Sequence, residues 1–349
     1  MAHKDLATEF KRMLLKCTPT AVDLHVLVDL GTEEKDDESG EQESLARKAG
    51  ALPATQESQC KLFAVENLSS LPEGTAIPQI KKACMDAKRK LCFSDKEIAA
   101  VEKKTRLQTN SADWYRFEKG RMSASKCKRV ASLKPTTSPS KALREVMGYS
   151  DILKTTAMRE GLGKGDEIAQ VFISEMKKQG CEVTVENCGF FISTSHGFIG
   201  ASPDRIIHVH TGTQSSPGVL EMKYIQVKTG LTLKDVLLKQ SICTKDESGC
   251  LILNKNHKYY YQLYQQMFCT KYTWGFFVAY GSNGEFFMER VVFKEDFWKP
   301  ILQKLTKFYA EVMLPEIVFP RVKYAYHEQN CNCFKINIGT PHMYLQVSE

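Results

Sequence analysis

Gly200-Ala201-Ser202-Pro203-Asp204 leads into the apolar Arg205-Ile206-Ile207, and Gly218-Val219-Leu220-Glu221-Met222-Lys223 follows it. Between them lies His208 to Pro217, rich in Thr, Ser and Gly. Aliphatic and β-branched runs bounded by such a loop predict two partly buried strands joined as a hairpin. In that hairpin Asp204 and Glu221 lie side by side at one sheet edge. Lys223 is two residues past Glu221 and points to the same face, because side chains alternate along a strand. Two carboxylates and a lysine then converge on one spot. Such a cluster either holds a divalent cation or forms a buried ion-pair network. Carboxylates are hard oxygen donors suited to Mg²⁺ or Mn²⁺. A lysine beside them can hold or deprotonate an attacking water and neutralise charge growing on a phosphate. His208 and His210 alternate along the first strand and are read as its polar outer face.

Working outward, 349 residues suffice for one large domain with extensions or for two domains. A 42% hydrophobic and 26% charged composition is that of an ordinary globular protein. No apolar run reaches the length of a membrane span. Met1 to Lys16 mixes charges of both signs without the apolar run of a signal peptide. The expectation is an intracellular protein, nuclear or cytoplasmic, with no membrane partner. Twelve scattered cysteines are then reduced thiols. Residues 1–110 hold 17 Lys and Arg against 18 Asp and Glu, and the remainder 31 against 23. The positive excess thus accompanies the hairpin, as suits a polyanion ligand.

Asp5 to Lys16 has the spacing of a short amphipathic helix. Seven acidic residues between Glu33 and Glu43 open a polar linker that runs to about Gln59. Pro78 to Leu91 predicts a helix, and Ser94 is an N-cap candidate for another. Residues 1–110 are therefore expected to be an extension, partly disordered. Asp113 to Ser132 is basic, with Lys119, Arg121, Lys126, Lys128 and Arg129 around Ser123 and Ser125. It suits either phosphate oxygens or a solvated helix face.

Further helices are expected over Ser140–Met147 and from about Leu153 to Lys178, the latter with Ile168, Val171, Phe172 and Met176 on one face. Glu182 to Thr194 is expected to be one strand. A polar segment with a helical middle, Leu231 to Gln240, suits a lid. The helix that begins at Lys258 carries Tyr260, Tyr264 and Met267 as a core stripe. Trp274–Tyr280 and Phe286–Val292 predict a second hairpin, and Lys294–Met313 a closing helix ended by Pro315. The order implies an α/β fold, a mixed sheet covered by helices. In the tail 321–349, Cys331, Cys333, His327 and His342 have a spacing that fits no standard zinc finger.

Pro203-Asp204 followed seventeen residues later by Glu221-Met222-Lys223 resembles the signature of the PD-(D/E)XK nucleases, which share a restriction-endonuclease-like fold. Trp114, Ser123-Ala124-Ser125, the helix with Glu167, and Tyr260-Tyr261-Gln262 occur in the order seen in one branch. That branch is the YqaJ-like viral recombinase family, with its lambda-type exonucleases. The resemblance covers Trp114 to Pro320 and implies a nuclease domain over 111–320. It implies a Mg²⁺- or Mn²⁺-dependent DNA exonuclease acting 5′ to 3′ on duplex ends, in recombination, repair or DNA degradation. The metal would be held by Asp204, Glu221, the main-chain carbonyl of Met222, and Glu167. Glu160 and Asp166 are rivals to Glu167, whose spacing to Ala169 is one residue short. Lys223 would orient the attacking water or act as its base. Ser125 and Ser202 would bind the terminal phosphate, and Gln262 a phosphate near the metals. The family's phosphate-binding arginine falls on Glu118, a departure for which Arg121 or Arg116 would substitute. Implied partners are double-stranded DNA ends, further copies of the chain in a ring, and a single-strand annealing protein. The departures leave open an inactive DNA-binding module and a structure-selective endonuclease of the same superfamily.

Overall fold

The computed structural model describes residues 70–149, 161, 163–211 and 214–322. Three helices come first: α1 (Ile77–Arg89), α2 (Asp95–Lys104) and α3 (Ala112–Glu118). Then follow β1 (Met122–Ser123), a 3₁₀ turn at Ala124–Lys126, α4 (Cys127–Ala131), α5 (Ser140–Met147) and α6 (Gly165–Lys178). Strands β2 (Glu182–Glu186), β3 (Phe191–Ile192), β4 (Ile199–Ala201), β5 (Arg205–Thr211) and β6 (Gln214–Ile225) come next. After α7 (Leu233–Lys239), β7 (Cys243–Lys245) and β8 (Leu251–Leu253) stand α8 (Lys258–Thr270), β9 (Trp274–Gly281) and β10 (Phe286–Val292). The described chain closes with α9 (Glu295–Phe308), a π turn at Tyr309–Met313 and α10 (Leu314–Val318).

The main sheet has the order β10-β9-β6-β5-β2. Its neighbours are antiparallel except β6 and β9, which are parallel. A parallel pair needs a crossover, and the chain supplies it as α7, the β7–β8 ribbon and α8. Strand β9 is buried along nearly its whole length, as befits a strand covered on both faces. Its adjacent residues Phe276 and Phe277 show the two covers. Phe276 meets Phe172 of α6 edge-on at 5.2 Å, and Phe277 stacks on Tyr259 of α8 at 5.5 Å. The mixed α/β sheet between helices is the expected architecture, and both predicted hairpins form. Among the described residues no helix is long and apolar enough to cross a membrane.

A smaller sheet, β1-β4-β3, lies beside α8. Gly200 is at its centre because a Cβ there would come within 2.1 Å of the Phe190 ring.

Four expectations are corrected. The stretch 182–194 is two strands in different sheets. Between them the Gly189 N–H donates to Glu102 Oε1 at 3.0 Å and the Phe190 N–H to Thr105 Oγ1 at 2.7 Å. Helix α2 thus takes the backbone that a continuous strand would have paired.

For the same reason residues 70–110 are not an extension. Ile80, Cys84, Ala87 and Leu91 join the main core, while Ile98 and Val101 pack with Phe117, Phe190 and Ile192. Ser94 caps α2 as expected, accepting from the Glu97 N–H while the Glu97 carboxylate accepts from the Ser94 N–H at 2.7 Å.

The closing helix ends at Phe308, and Pro315 sits in the first turn of α10.

The helix expected from Leu153 is described from Gly165. A turn at Gly163, with φ +93°, precedes it, so the expected single helix is interrupted there; residues 150–160 and 162, the linker and the tail cysteines and histidines lie outside the described residues.

Candidate active site

Pairing of Arg205 with Leu220 sets Asp204, the residue before β5, against Glu221 of β6. The Met222 N–H donates to Asp204 Oδ2 at 2.6 Å. Lys223 Nζ lies 4.0 Å from the same oxygen and forms an ion pair with Glu221 Oε1. The expected convergence of Asp204, Glu221 and Lys223 is what the hairpin produces.

Glu221 is fully buried, yet every part of its carboxylate is engaged. Gln262 Nε2 donates to Oε1 at 2.6 Å and Gln266 Nε2 to Oε2 at 2.5 Å. These glutamines are one turn apart on α8, so they share a face. Burial pushes the Glu221 carboxyl up to about 7, with help from the Asp204 charge and against Lys223 and Gln266. For Lys223, burial opposes the ammonium, but the fields of Glu221 and Asp204 outweigh it and hold the group above the usual lysine range. Its Nζ also lies 5.3 Å from the centre of the Tyr259 ring.

Helix α8 anchors the surroundings too. Gln266 Nε2 also donates to the Ser202 carbonyl at 3.3 Å. Gln265 Nε2 donates to the carbonyls of Met122 and Gly200 at 2.7 and 3.0 Å. Gln108 Nε2 donates to those of Cys188 and Pro203 at 3.0 and 2.9 Å. Ser202 Oγ accepts from Trp114 Nε1 at 2.7 Å, which joins two sequence candidates directly.

Other candidates are placed differently. Glu167 is exposed and accepts from Lys164 Nζ at 2.6 Å, three residues earlier on the same turn. Asp166 accepts from Arg205 Nη2 at 2.7 Å. Glu160 lies outside the described residues. Neither described rival joins the cluster, and among the described residues no group of three or more His, Cys, Asp or Glu converges.

Arg121 is a clear correction. It is 1% exposed, with Nε donating to the Gly197 carbonyl at 3.0 Å and Nη1 to the Phe117 carbonyl at 2.6 Å. Burial brings it down to about 10, so it is an internal strut rather than a surface phosphate ligand. Arg116 is exposed, with its guanidinium 5.9 Å from the Phe117 ring centre. Ser125 is exposed, its hydroxyl 3.5 Å from that of Ser123. Glu118 is part-buried and bonded to Ser123, and burial raises its carboxyl.

Gln265, Gln266, Gln108 and Tyr259 were missed as site residues. The i, i+4 repeat of Gln262 and Gln266 was the available signal.

Asp204 and Glu221 offer hard oxygens on one side of one hairpin, and a lysine ammonium already lies against both. That donor set fits a small divalent cation.

Residues 113–273 match the YqaJ-like viral recombinase domain. Among solved structures, the chain is similar to an alkaline exonuclease from Laribacter hongkongensis. The identity is 21%, covering 63% of this chain and 98% of that one, with a TM-score of 0.43. It is also similar to the Shutoff and Exonuclease Protein of Kaposi's sarcoma-associated herpesvirus, at 12% identity over 72% of this chain and 77% of that one, TM-score 0.39. A phage-related exonuclease from Haemophilus somnus aligns at 8% identity over 57% and 95%, TM-score 0.39. No curated protein is significantly similar in sequence. The segment that matches the YqaJ-like viral recombinase domain, Asp113 to Thr273, carries the two carboxylates, the lysine and the glutamine-bearing helix.

Proposed function

We propose that the chain is a Mg²⁺- or Mn²⁺-dependent DNA exonuclease that degrades duplex ends 5′ to 3′ in recombination, repair or DNA turnover. The observation that carries this reading is the meeting of Asp204, Glu221 and Lys223 at the β5–β6 edge. Asp204, Glu221 and the Met222 carbonyl would hold the cation, which when bound supplies Lewis-acid stabilisation to charge developing on a phosphodiester. The remaining chemistry belongs to the chain. Met222 N–H fixes the Asp204 carboxylate, and Gln262 and Gln266 fix that of Glu221, so neither need reorganise during reaction. An ammonium held above its ordinary range donates hydrogen bonds rather than taking protons. Lys223 therefore orients the attacking water and steadies a phosphoryl oxygen. Double-stranded DNA ends are the substrate in this reading, and a ring of like subunits and a single-strand annealing protein are its natural partners.

The test uses 5′-phosphorylated and 5′-hydroxyl linear duplexes and a closed circle, each with Mg²⁺ and with EDTA. Shortening of the linear duplexes with Mg²⁺, absent for Asp204→Ala, is the expected result. No degradation under any salt condition overturns it, and cutting of the circle marks an endonuclease instead.

A second reading has one observation behind it. Glu167 and Asp166 are engaged with Lys164 and Arg205 rather than with the carboxylate pair. A module that binds DNA without cutting it would show retained binding and no Mg²⁺-dependent products.

A further inference from the structure

Some lysines of this surface are paired. Lys164 and Lys178 each hold a carboxylate one turn away. Three lysines beside the site differ. Among the described residues, Lys126, Lys128 and Lys258 have no carboxylate within ion-pair distance, although the field of the Ser123-bonded Glu118 reaches Lys126. They are nevertheless close to one another and to the site. Lys258 Nζ lies 5.3 Å from the centre of the Tyr259 ring, the same ring that Lys223 approaches at 5.3 Å. Lys128 Nζ lies 4.6 Å from the centre of the Tyr261 ring, two residues on. The turn Ala124–Lys126, with the exposed Ser125, packs against α8. Lys258 feels its neighbours: burial and then the charges of Lys223 and Lys126 hold it below the usual lysine range. His257 is driven down to about 4 by burial, Lys258 and Lys128, so it adds no charge.

Like charges gathered without counter-ions weaken a folded surface unless an external anion joins them. Tyrosine rings under two of the ammoniums hold them in place without neutralising them.

We infer that Lys258, Lys126 and Lys128 form a track that carries the sugar-phosphate backbone of a nucleic-acid strand away from the Asp204–Glu221 pair. The strand passes over the first turn of α8 and onto residues 126–128. This inference rests on the nuclease reading for the identity of the polyanion. Its contacts are to phosphates and not to base edges, so it is indifferent to sequence.

The experiment measures binding of a fluorescein-labelled duplex and a labelled single strand by anisotropy in EDTA, over a range of salt concentrations. The full chain is compared with the triple variant Lys126→Gln, Lys128→Gln, Lys258→Gln. A second triple variant, Lys81→Gln, Lys82→Gln, Lys88→Gln on α1, removes the same charge far along the chain. The track predicts that log Kd against log salt loses a slope of roughly 0.7–0.9 for each track lysine removed. The α1 triple should follow the unaltered protein, and two oligonucleotides of different sequence should behave alike. Thermal unfolding checks that the variants fold, and the single Lys258→Gln serves if the triple does not. Equal affinity and equal slope for the two triples overturns the track. Because no cleavage is read, the two ideas fail separately. Binding through these lysines without degradation keeps the track and removes the nuclease. Degradation with track variants that bind like the α1 triple does the reverse.

Discussion

The Asp204 carboxylate accepts the main-chain N–H of Met222 at 2.6 Å. One acid of the pair is thus held by the residue that separates the other acid from the lysine. The clamp costs Met222 nothing, because at this edge β5 has ended and offers no carbonyl. Asp204→Asn keeps the side chain's shape, and its amide can turn its oxygen to Met222. It should leave the thermal midpoint nearly unchanged yet reduce Mg²⁺-dependent cleavage at least about a hundredfold. Single-turnover assays beside thermal unfolding separate the two effects.

Lys223→Ala should destabilise the protein, because Glu221 would remain fully buried without its cation. Breaking such a pair costs about 3–5 kcal/mol. A divalent ion can take over the missing charge, so Mg²⁺ should raise the thermal midpoint of this variant more than that of the unaltered protein. Equal shifts would argue that no cation reaches Glu221.

Gln266→Leu removes the donor to Glu221 Oε2 and to the Ser202 carbonyl together. A buried acceptor left without its donor costs about 1–3 kcal/mol. The same change moves the Glu221 carboxyl further upward, since the lost bond favoured the ionised form. Unfolding in denaturant measures the first effect. A shift of the pH–rate profile to higher pH measures the second.

Arg121→Met should cost about 2–4 kcal/mol, because the carbonyls of Phe117 and Gly197 each lose a buried donor. It should leave the ratio of rates on 5′-phosphorylated and 5′-hydroxyl duplexes unchanged. A change in that ratio, with the fold intact, would return Arg121 to the phosphate site.

Glu289 offers a pH test away from the site. Burial pushes its carboxyl up to about 7, against the Leu253 N–H it accepts and the field of Lys255. A carboxyl raised in the folded state stabilises fully below its unfolded value near 4.5, and that contribution is lost as pH rises through about 7. Glu289→Gln should therefore raise the thermal midpoint at pH 8 and leave it little changed at pH 5.

The hairpin and its three side chains were legible because period-two alternation and a turn-rich loop fix both pairing and facing. Glu221 and Lys223 needed only their separation of two. Helix α8 was legible as a helix, and Gln262 as a site residue by resemblance. Gln266 was hidden because a glutamine one turn further on looks like any other polar residue until the strand beneath it is known. Arg121 was misread because a basic residue among basic residues looks exposed. Its burial depends on carbonyls at 117 and 197, the second of them 76 residues away. Glu167 had the right residue type on the right helix, but Lys164 on the same turn holds its carboxylate.

Helix α2 has the last word on what can be moved. Glu102 and Thr105 hold the amides of Gly189 and Phe190, and the Phe190 ring lies over Gly200, four residues before Asp204. Leu71, further upstream, donates its N–H to the Val318 carbonyl at 2.9 Å, near the other end of the described chain. The portion that matches the family is therefore not a graftable cassette. A transplant cut at Asp113 would carry every acid and the lysine but not the scaffolding behind them. A working donor fragment has to reach back past Leu71 and forward past Val318.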